Sequence, residues 1–207
     1  MQRTPLKANT GRLFVFEGPD DVGKSTLAKL LNDYLRQKGK RTELLAFPGN
    51  STGTLGELVY RFYHDSKAFG VVSVTPIGMQ LMVTAAHVDV IESRIKPLIR
   101  SGVDVVLDRF WWSTWVYAQI DGVANAFRDR MIDFEMQSWE DIRPTTIFEV
   151  LRERPLLEQP QNHHWPEILT LYKQLAEIEA NNVHIQLVLN EGTVQESLKT
   201  VISTLEG

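Results

Sequence analysis

The chain has 207 residues, of which 43% are hydrophobic and 23% charged, and it carries a formal net charge of −4 with no cysteine. Such a length allows one sizeable core and is short for two, and the composition is that of an ordinary globular protein. The negative charge argues against a nucleic-acid partner, no apolar run reaches the roughly 20 residues of a membrane span, and the absence of thiols excludes disulfides and fits the cytoplasm.

Residues 1–11 are polar and contain no apolar signal-peptide core, so we expect a flexible tail there and one domain over residues 12–207. Beyond the tail, apolar runs rich in β-branched residues alternate with segments of helical period. The predicted strands cover residues 12–16, 41–47, 103–108, 145–150 and 184–189. The predicted helices cover residues 24–37, 54–64, 75–100, 113–120, 124–139, 166–180 and 193–205. This alternation indicates an α/β fold with a five-stranded parallel sheet between two helical layers, α/β/α.

The first predicted strand leads into a loop with the pattern G-x-x-x-x-G-K-S, followed by an amphipathic helix. The glycines leave backbone N–H groups free to face an anion, and the positive end of the helix adds to that attraction. Lys24 supplies a cation for the outer phosphates, and the Ser25 hydroxyl is placed to hold Mg²⁺. We predict that the loop binds a nucleoside polyphosphate. The residues expected to bind it are Gly18, Pro19, Asp21, Val22, Gly23, Lys24, Ser25 and Thr26.

Two carboxylates, Asp20 and Asp21, lie inside this loop. Beside a bound triphosphate they would cost Coulomb energy unless they point away or meet Mg²⁺ or a hydroxyl group. We expect one of them to accept a hydrogen bond from a sugar hydroxyl of a second substrate. The alternative is exposure to solvent, which applies best to Asp21.

The third predicted strand ends in a carboxylate, Asp108, followed by a guanidinium, Arg109. Because ligands bind at the carboxyl ends of parallel strands, both side chains are expected beside the phosphate loop. An aspartate at this position holds Mg²⁺ together with Ser25, and the arginine suits bidentate recognition of a phosphate. The alternative is a structural ion pair or a helix cap, and the phosphate loop favours the functional interpretation.

After the fourth predicted strand, Arg152 and Arg154 precede a stretch rich in proline, glutamine, asparagine and histidine. Phosphoryl transfer needs cations that stabilise charge on the transferring group, and arginines on a closing segment often supply them. Residues 152–165 are therefore predicted to form a short lid. A solvated charged loop is the alternative, with nearly equal weight.

Four blocks of the chain together resemble the thymidylate kinases, within the phosphate-loop nucleoside monophosphate kinases. Residues 16–26 are similar to F-E-G-x-D-G-x-G-K-S-T, and residues 47–57 to F-P-x-R-x-T followed by L-G. Residues 81–89 are similar to L-L-F-x-A-x-R-x-E, and residues 108–117 to D-R-Y-x-x-S-S-x-A-Y. The resemblance implies the phosphate-loop nucleoside triphosphate hydrolase fold and transfer of the γ-phosphoryl group of Mg·ATP to a deoxynucleoside monophosphate, dTMP first.

The resemblance also implies roles for single residues. Asp20 would bind the 3′-hydroxyl of the acceptor, Arg109 its monophosphate, and Tyr117 would crowd the 2′ position. Phe62 or Phe69 would stack on the base. The implied substrate-binding residues are Asp20, Phe47, Asn50, His87, Arg109, Ser113 and Tyr117, and the implied catalytic residues are Lys24, Asp108, Arg109, Arg152 and Arg154, with Ser25 and Asp108 on the metal. Members of the family are usually homodimers, and the apolar face of residues 75–100 could form such an interface or belong to the core.

The chain also departs from the family pattern. Asn50 stands where the second block has an arginine that bridges the two phosphate groups, and His87 where the third block has an arginine facing the base. Ala118 replaces a glutamine, Asp21 replaces a loop glycine, and the lid at residues 152–165 is shorter than usual. The thymine specificity is the part of the resemblance that these changes affect most, because His87 offers the base a different hydrogen-bond pattern.

These departures leave three hypotheses open. The first is the monophosphate kinase, in which Arg152 or Arg154 compensates for a missing arginine whose loss costs about three orders of magnitude in rate. The second is a nucleotide-binding protein that has lost efficient catalysis and acts as a sensor or assembly component. The third is a kinase that phosphorylates a nucleoside hydroxyl, and it differs from the first in accepting thymidine rather than dTMP.

Overall fold

A computed structural model of the protein describes residues 10–49, 51–140, 142–157 and 163–206. Five strands form one parallel sheet in the order β2-β3-β1-β4-β5. The strands are β1 (Leu13–Glu17), β2 (Thr42–Ala46), β3 (Asp104–Asp108), β4 (Thr146–Leu151) and β5 (Ile185–Leu189). The five strands predicted from the sequence and their parallel arrangement are thus confirmed.

Eight α-helices lie within the described ranges, and none of them has the length and apolar character needed to cross a bilayer. They are α1 (Lys24–Gln37), α2 (Leu55–His64), α3 (Pro76–Val90), α4 (Lys96–Arg100), α5 (Trp111–Ile120), α6 (Asn125–Trp139), α7 (Trp165–Glu179) and α8 (Val194–Glu206). A 3₁₀ turn, Ser66–Phe69, follows α2 and was not predicted.

The helix predicted over residues 75–100 is interrupted by a π-helical turn, Ile91–Ile95, between α3 and α4. Pro97 follows this turn in the second position of α4. Proline has no N–H to donate and its ring collides with the carbonyl four residues earlier, so a regular α-helix cannot continue through it. The wider π turn absorbs that irregularity without ending the helical path.

The strands form the middle of three layers because their side chains alternate between two apolar cores. In β1, Leu13 and Val15 point into a core shared with α3 to α7, while Phe14 and Phe16 point into a core shared with α1 and α8. All four side chains are at most 1% exposed. Since β1 is flanked by β3 and β4, the loop that follows it lies in the middle of the sheet edge.

The structure describes the last two residues of the predicted tail, Thr10 and Gly11. The Gly11 N–H donates to the Ile99 carbonyl at 2.8 Å, so the chain is already fixed to the end of α4 there. Residues 1–9, the rest of the predicted tail, lie outside the described residues.

The carboxyl group of Glu149 is buried in the sheet. Glu149 in β4 is 5% exposed, and its Oε1 makes no hydrogen bond within the described part of the chain. Burial raises the pKa of Glu149 to about 7, Lys173 on α7 opposes this shift and Glu177 adds to it. The folded protein therefore favours the protonated form of a group that ionises near 4.5 in the unfolded chain.

We expect the substitution Glu149→Gln to remove a pH dependence of stability. In the wild-type protein, the stabilisation that depends on the protonated carboxyl is present below pH 4.5 and is lost as the pH rises to about 7. That loss amounts to about 3 kcal/mol of the free energy of unfolding. Urea unfolding at pH 5 and pH 8 measures this loss. The free energy of unfolding of the variant should be clearly higher than that of the wild type at pH 8 and only slightly higher at pH 5. An exposed control, Glu153→Gln, should change neither value, and an equal gain at both pH values for Glu149→Gln would contradict the assignment.

Candidate active site

The loop between β1 and α1 takes its shape from close backbone approaches. Gly18 has φ +142°, and a Cβ atom on it would lie 2.1 Å from the Val150 carbonyl oxygen, so only glycine fits. Gly23 has φ +93° and immediately precedes α1. Asp21, which replaces a family glycine, also has a positive φ, +55°, a conformation that aspartate tolerates better than most residues. The loop therefore keeps its shape despite that substitution.

Lys24 is the first residue of α1 and is only 4% exposed. Its ammonium group donates a hydrogen bond to the Pro19 carbonyl, across the loop. Burial lowers the pKa of Lys24, and the carboxylates of Asp108, Glu17 and Asp21 oppose that shift. The loop thus holds a cation among carboxylates. A bound phosphate group could replace the Pro19 carbonyl as the hydrogen-bond acceptor of Lys24.

Ser25 and Asp108, the predicted metal ligands, line the same cavity of about 340 Å³ at the sheet edge. Asp108 is 9% exposed, and its Oδ1 has no hydrogen-bond partner in the described part of the chain. An unpaired carboxylate oxygen and a hydroxyl suit Mg²⁺, which prefers oxygen ligands and keeps several waters. No group of three or more acidic or histidine side chains that could hold a metal occurs among the described residues, so these two groups would share the ion with phosphate and water.

The predicted acceptor residues Asp20, Arg109 and Tyr117 are in direct contact. Arg109 forms an ion pair with one carboxylate oxygen of Asp20, and the Tyr117 hydroxyl donates to the other at 2.9 Å. The guanidinium also lies over the Tyr117 ring, 5.8 Å from its centroid. Arg109 has φ +75°, a conformation that is unfavourable for its side chain and that places it directly beside the loop. A carboxylate, a guanidinium and a phenol therefore meet at one point of the phosphate loop.

Ser113, predicted to bind substrate, is buried and supports Arg109. Its hydroxyl accepts from the Arg109 guanidinium at 3.0 Å, donates to Glu17 at 2.8 Å and lies 3.0 Å from the Tyr172 hydroxyl. Burial raises the pKa of Tyr172 well above its usual value, so the phenol stays protonated. The structure thus places Ser113 behind the guanidinium.

Glu17, to which the sequence analysis gave no role, is the centre of this network. It is fully buried, and one of its carboxylate oxygens accepts from the backbone N–H groups of Phe110 and Ser113 at 2.6 and 3.0 Å. Those groups lie at the start of α5, so Glu17 caps that helix from the neighbouring strand. Burial raises the pKa of Glu17, and the cations of Arg109 and Lys24 oppose the shift. A carboxylate that ends an apolar buried strand was the signal that could have revealed it.

The residues expected near the base make contacts with other side chains. His87 is 2% exposed, stacks on Phe47 with 4.0 Å between ring centroids, and shares a 3.0 Å hydrogen bond with the buried carboxylate of Glu135. Phe62 is buried and packs against the more exposed Phe69, with 5.6 Å between ring centroids. Asn50 lies outside the described residues.

The start of the predicted lid lies against the phosphate loop. The Leu156 N–H donates to the Asp21 carbonyl at 2.8 Å. The Arg152 guanidinium donates to the Asn190 carbonyl and lies 3.8 Å from a Glu191 carboxylate oxygen, whereas Arg154 is exposed. Residues 158–162 of the predicted lid lie outside the described residues. Within the described residues the two arginines therefore differ: Arg152 contacts the loop that follows β5, and Arg154 is exposed.

The chain is similar to known proteins of one family. The family model for thymidylate kinase matches residues 16–187 of the chain. The thymidylate kinase of Chlorobium luteolum is 32% identical over 105 residues, which are 51% of this chain and 46% of that protein. The thymidylate kinase of Dinoroseobacter shibae is 39% identical over 107 residues, 52% of this chain and 49% of that protein. The chain thus spans about half the length of the curated relatives it matches.

A solved structure extends the likeness of fold to nearly the whole chain. The crystal structure of thymidylate kinase from Ehrlichia chaffeensis has a TM-score of 0.74 to this protein at 21% identity, and the match covers 95% of this chain and 99% of that one. The three-layer, phosphate-loop fold is therefore shared. Because the family model extends from β1 into β5, the chain belongs to the thymidylate kinase family.

Proposed function

We propose that the protein transfers the γ-phosphoryl group of Mg·ATP to a deoxynucleoside monophosphate, with dTMP as the first substrate to test and dTDP as the product. The contact of Asp20 with Arg109 and Tyr117 carries this proposal. Asp20 belongs to the loop that also holds Lys24, and Arg109 lies against it. In the proposal, Arg109 binds the acceptor phosphate and Asp20 accepts a hydrogen bond from a sugar hydroxyl. Two nucleotides can then meet at one loop. Membership of the thymidylate kinase family supports the same activity.

In the proposed reaction, an oxygen of the acceptor monophosphate attacks the γ-phosphorus of ATP. The bond from that phosphorus to the β,γ-bridging oxygen breaks, and ADP leaves with the electron pair. No base is required because the attacking oxygen is already anionic. Arg109 orients the acceptor phosphate, Asp20 and Tyr117 hold its sugar, and Lys24 stabilises charge on the transferring group. Ser25 and Asp108 would hold Mg²⁺, which would supply positive charge to the donor phosphates.

We also propose that an arginine of the predicted lid supplies the positive charge of the family arginine that Asn50 replaces. Arg154 is the better candidate of the two lid arginines because its side chain is exposed, whereas the Arg152 guanidinium already bonds to the Asn190 carbonyl. Closure of this segment over bound substrate would bring the arginine to the donor phosphates.

A coupled assay with Mg·ATP across the common nucleoside and deoxynucleoside monophosphates tests the proposal. We expect ADP formation with dTMP, and thymidine in a parallel reaction separates monophosphate from nucleoside kinases. If no monophosphate is phosphorylated, the proposed activity is wrong. Phosphorylation of thymidine alone would remove Arg109 from its assigned role.

The burial of His87 favours a second candidate, a nucleotide-binding protein with little turnover. A histidine held between Phe47 and Glu135 does not offer the base the two parallel donors of an arginine. Calorimetry of ATP and dTMP binding, together with the coupled assay, decides between the two candidates. Binding of ATP or dTMP with turnover at background level supports this candidate over the kinase.

We also propose that the protein forms a homodimer and acts in the cytoplasm. Apolar side chains are exposed on α3 and α6, where Leu81, Phe127 and Phe134 are each more than half exposed. Ile91, Ile95 and Ile99, which belong to the same predicted segment, are buried in the core. Light scattering after gel filtration distinguishes a dimer of 207-residue chains from a monomer, and the substitution Phe134→Glu should weaken a dimer formed by this face.

A further inference from the structure

Asn190 directly follows β5 and is 7% exposed, and its amide makes two short hydrogen bonds. The amide nitrogen donates to the Val22 carbonyl at 2.7 Å, and the amide oxygen accepts from the Ser197 hydroxyl at 2.7 Å. Val22 belongs to the phosphate loop and Ser197 to α8. The side chain of Asn190 therefore ties the loop to that helix.

The backbone of Asn190 ties in a third segment. Its N–H donates to the Leu151 carbonyl at 2.9 Å, and its carbonyl accepts from the Arg152 guanidinium. Leu151 and Arg152 end β4 and begin the segment that leads to the lid. One residue thus holds together the loop after β1, the end of β4 and the turn before α8.

The contact fixes one peptide plane of the phosphate loop. The carbonyl of Val22 and the N–H of Gly23 belong to the same planar trans peptide group, so they point in opposite directions. Holding the carbonyl on Asn190 therefore turns the Gly23 N–H away from the Asn190 amide. A Cβ atom on Gly23 would lie 2.5 Å from the Asn190 amide nitrogen, so the close approach also requires glycine at that position.

An amide is the side chain that this position requires. The Val22 carbonyl needs a donor, and the Ser197 hydroxyl, at the same distance, needs an acceptor. An ionised carboxylate can only accept hydrogen bonds. In place of the amide it would put an oxygen opposite the Val22 carbonyl oxygen, and no hydrogen bond could form there.

We propose that Asn190 is a positioning residue for the ATP site: it orients the Val22–Gly23 peptide, and with it the N–H groups and Lys24 that face the triphosphate. The residue acts through the loop. This inference rests on the proposed function, in which the loop binds Mg·ATP.

The substitution Asn190→Asp tests the proposal through the pH dependence of ATP binding. At pH 8 the new carboxylate lacks the donor, and we expect the dissociation constant for Mg·ATP, measured by calorimetry, to rise about tenfold relative to wild type. Burial and the facing Val22 carbonyl oxygen favour the protonated form of the new carboxyl. At pH 5.5 the protonated carboxyl can donate to that carbonyl again, so the ratio of the two dissociation constants, variant to wild type, should return towards one. A merely structural role would not restore affinity in this way. Taking the ratio at each pH removes the titration of ATP itself.

Asn181→Asp is the matched control, because it makes the same change of charge at an exposed position. The ratio of its dissociation constant for Mg·ATP to that of wild type should stay close to one at both pH values. Thermal melts at each pH establish that the variants are folded, and Asn190→Ala replaces Asn190→Asp if the latter does not fold at pH 8; it should bind Mg·ATP more weakly at both pH values.

The outcomes separate this inference from the proposed function. Wild-type protein that binds Mg·ATP, with a folded Asn190 variant that binds equally well at pH 8, overturns the role of Asn190 alone. An equal loss of affinity by Asn190→Asp at both pH values also overturns it, since the missing donor would then not be the cause. Wild-type protein that does not bind Mg·ATP at all overturns both.

Discussion

Replacing Lys24 with alanine is expected to lower kcat for phosphoryl transfer by about three orders of magnitude. Lys24 is a buried cation inside the phosphate loop, 4% exposed and bonded to the Pro19 carbonyl. The charge that develops on the transferring group would lose its nearest fixed partner. Arginine at this position should not restore activity, because a broad planar guanidinium does not replace the compact ammonium group of this buried side chain. Steady-state kinetics with dTMP and Mg·ATP measure the loss.

The control for Lys24 lies in the same helix. Lys29 is exposed and pairs with Asp33 on the helix surface at 3.3 Å, so Lys29→Ala removes an equal charge outside the site. It should leave kcat within about twofold of wild type. The Lys24→Ala variant should keep a cooperative thermal transition, because the apolar cores on the two faces of the sheet remain unchanged. A folded Lys24→Ala protein with normal turnover would show that the loop does not serve phosphoryl transfer.

The second large effect is expected for Arg109→Ala. Its guanidinium is placed by Asp20 and Ser113, so its removal should take away the partner of the acceptor phosphate and leave Asp20 uncompensated. We expect kcat/KM for the acceptor to fall by about two orders of magnitude, mostly through KM. The dissociation constant for Mg·ATP should change little. Kinetics at saturating ATP, with calorimetry of ATP binding, measure the two effects separately.

Two further variants sharpen the test of Arg109. Arg109→Lys keeps the charge but loses the two parallel donors, so its KM for the acceptor should fall between those of wild type and Arg109→Ala. Arg36→Ala, at an exposed position near the end of α1, removes a guanidinium elsewhere and should leave both constants unchanged. Weakened ATP binding with an unaltered acceptor KM would place Arg109 on the donor side instead.

Much of the fold could be predicted from the sequence. Each predicted strand lies within about two residues of the observed one, because short apolar runs between amphipathic segments have few other ways to be buried. Helix α1 was predicted with its observed ends, since Gly23 and the loop before it mark the start. The interruption of the helix before Pro97 was missed, although the proline itself was the signal.

The candidate site was predictable where a local pattern carries it. The phosphate loop is a continuous motif. Asp108 ends a buried strand and Arg109 follows it, so their place at one sheet edge follows from the parallel topology. Glu17 escaped notice because its hydrogen bonds go to the start of a helix 93 residues or more away in the chain. The burial of His87 depends on Glu135 in another helix, and no pattern around residue 87 encodes it.

The sequence by itself determined the α/β alternation, the phosphate-binding loop and the identity of its charged groups, since each depends on residues close together in the chain. Only the tertiary structure decided which of those groups touch. Asp20 meets Arg109 across 89 residues, and Val22 meets Asn190 across 168. The physical reason is that a hydrogen bond needs its two atoms within about 3 Å. For distant residues, such a distance is set by strand order and layer packing.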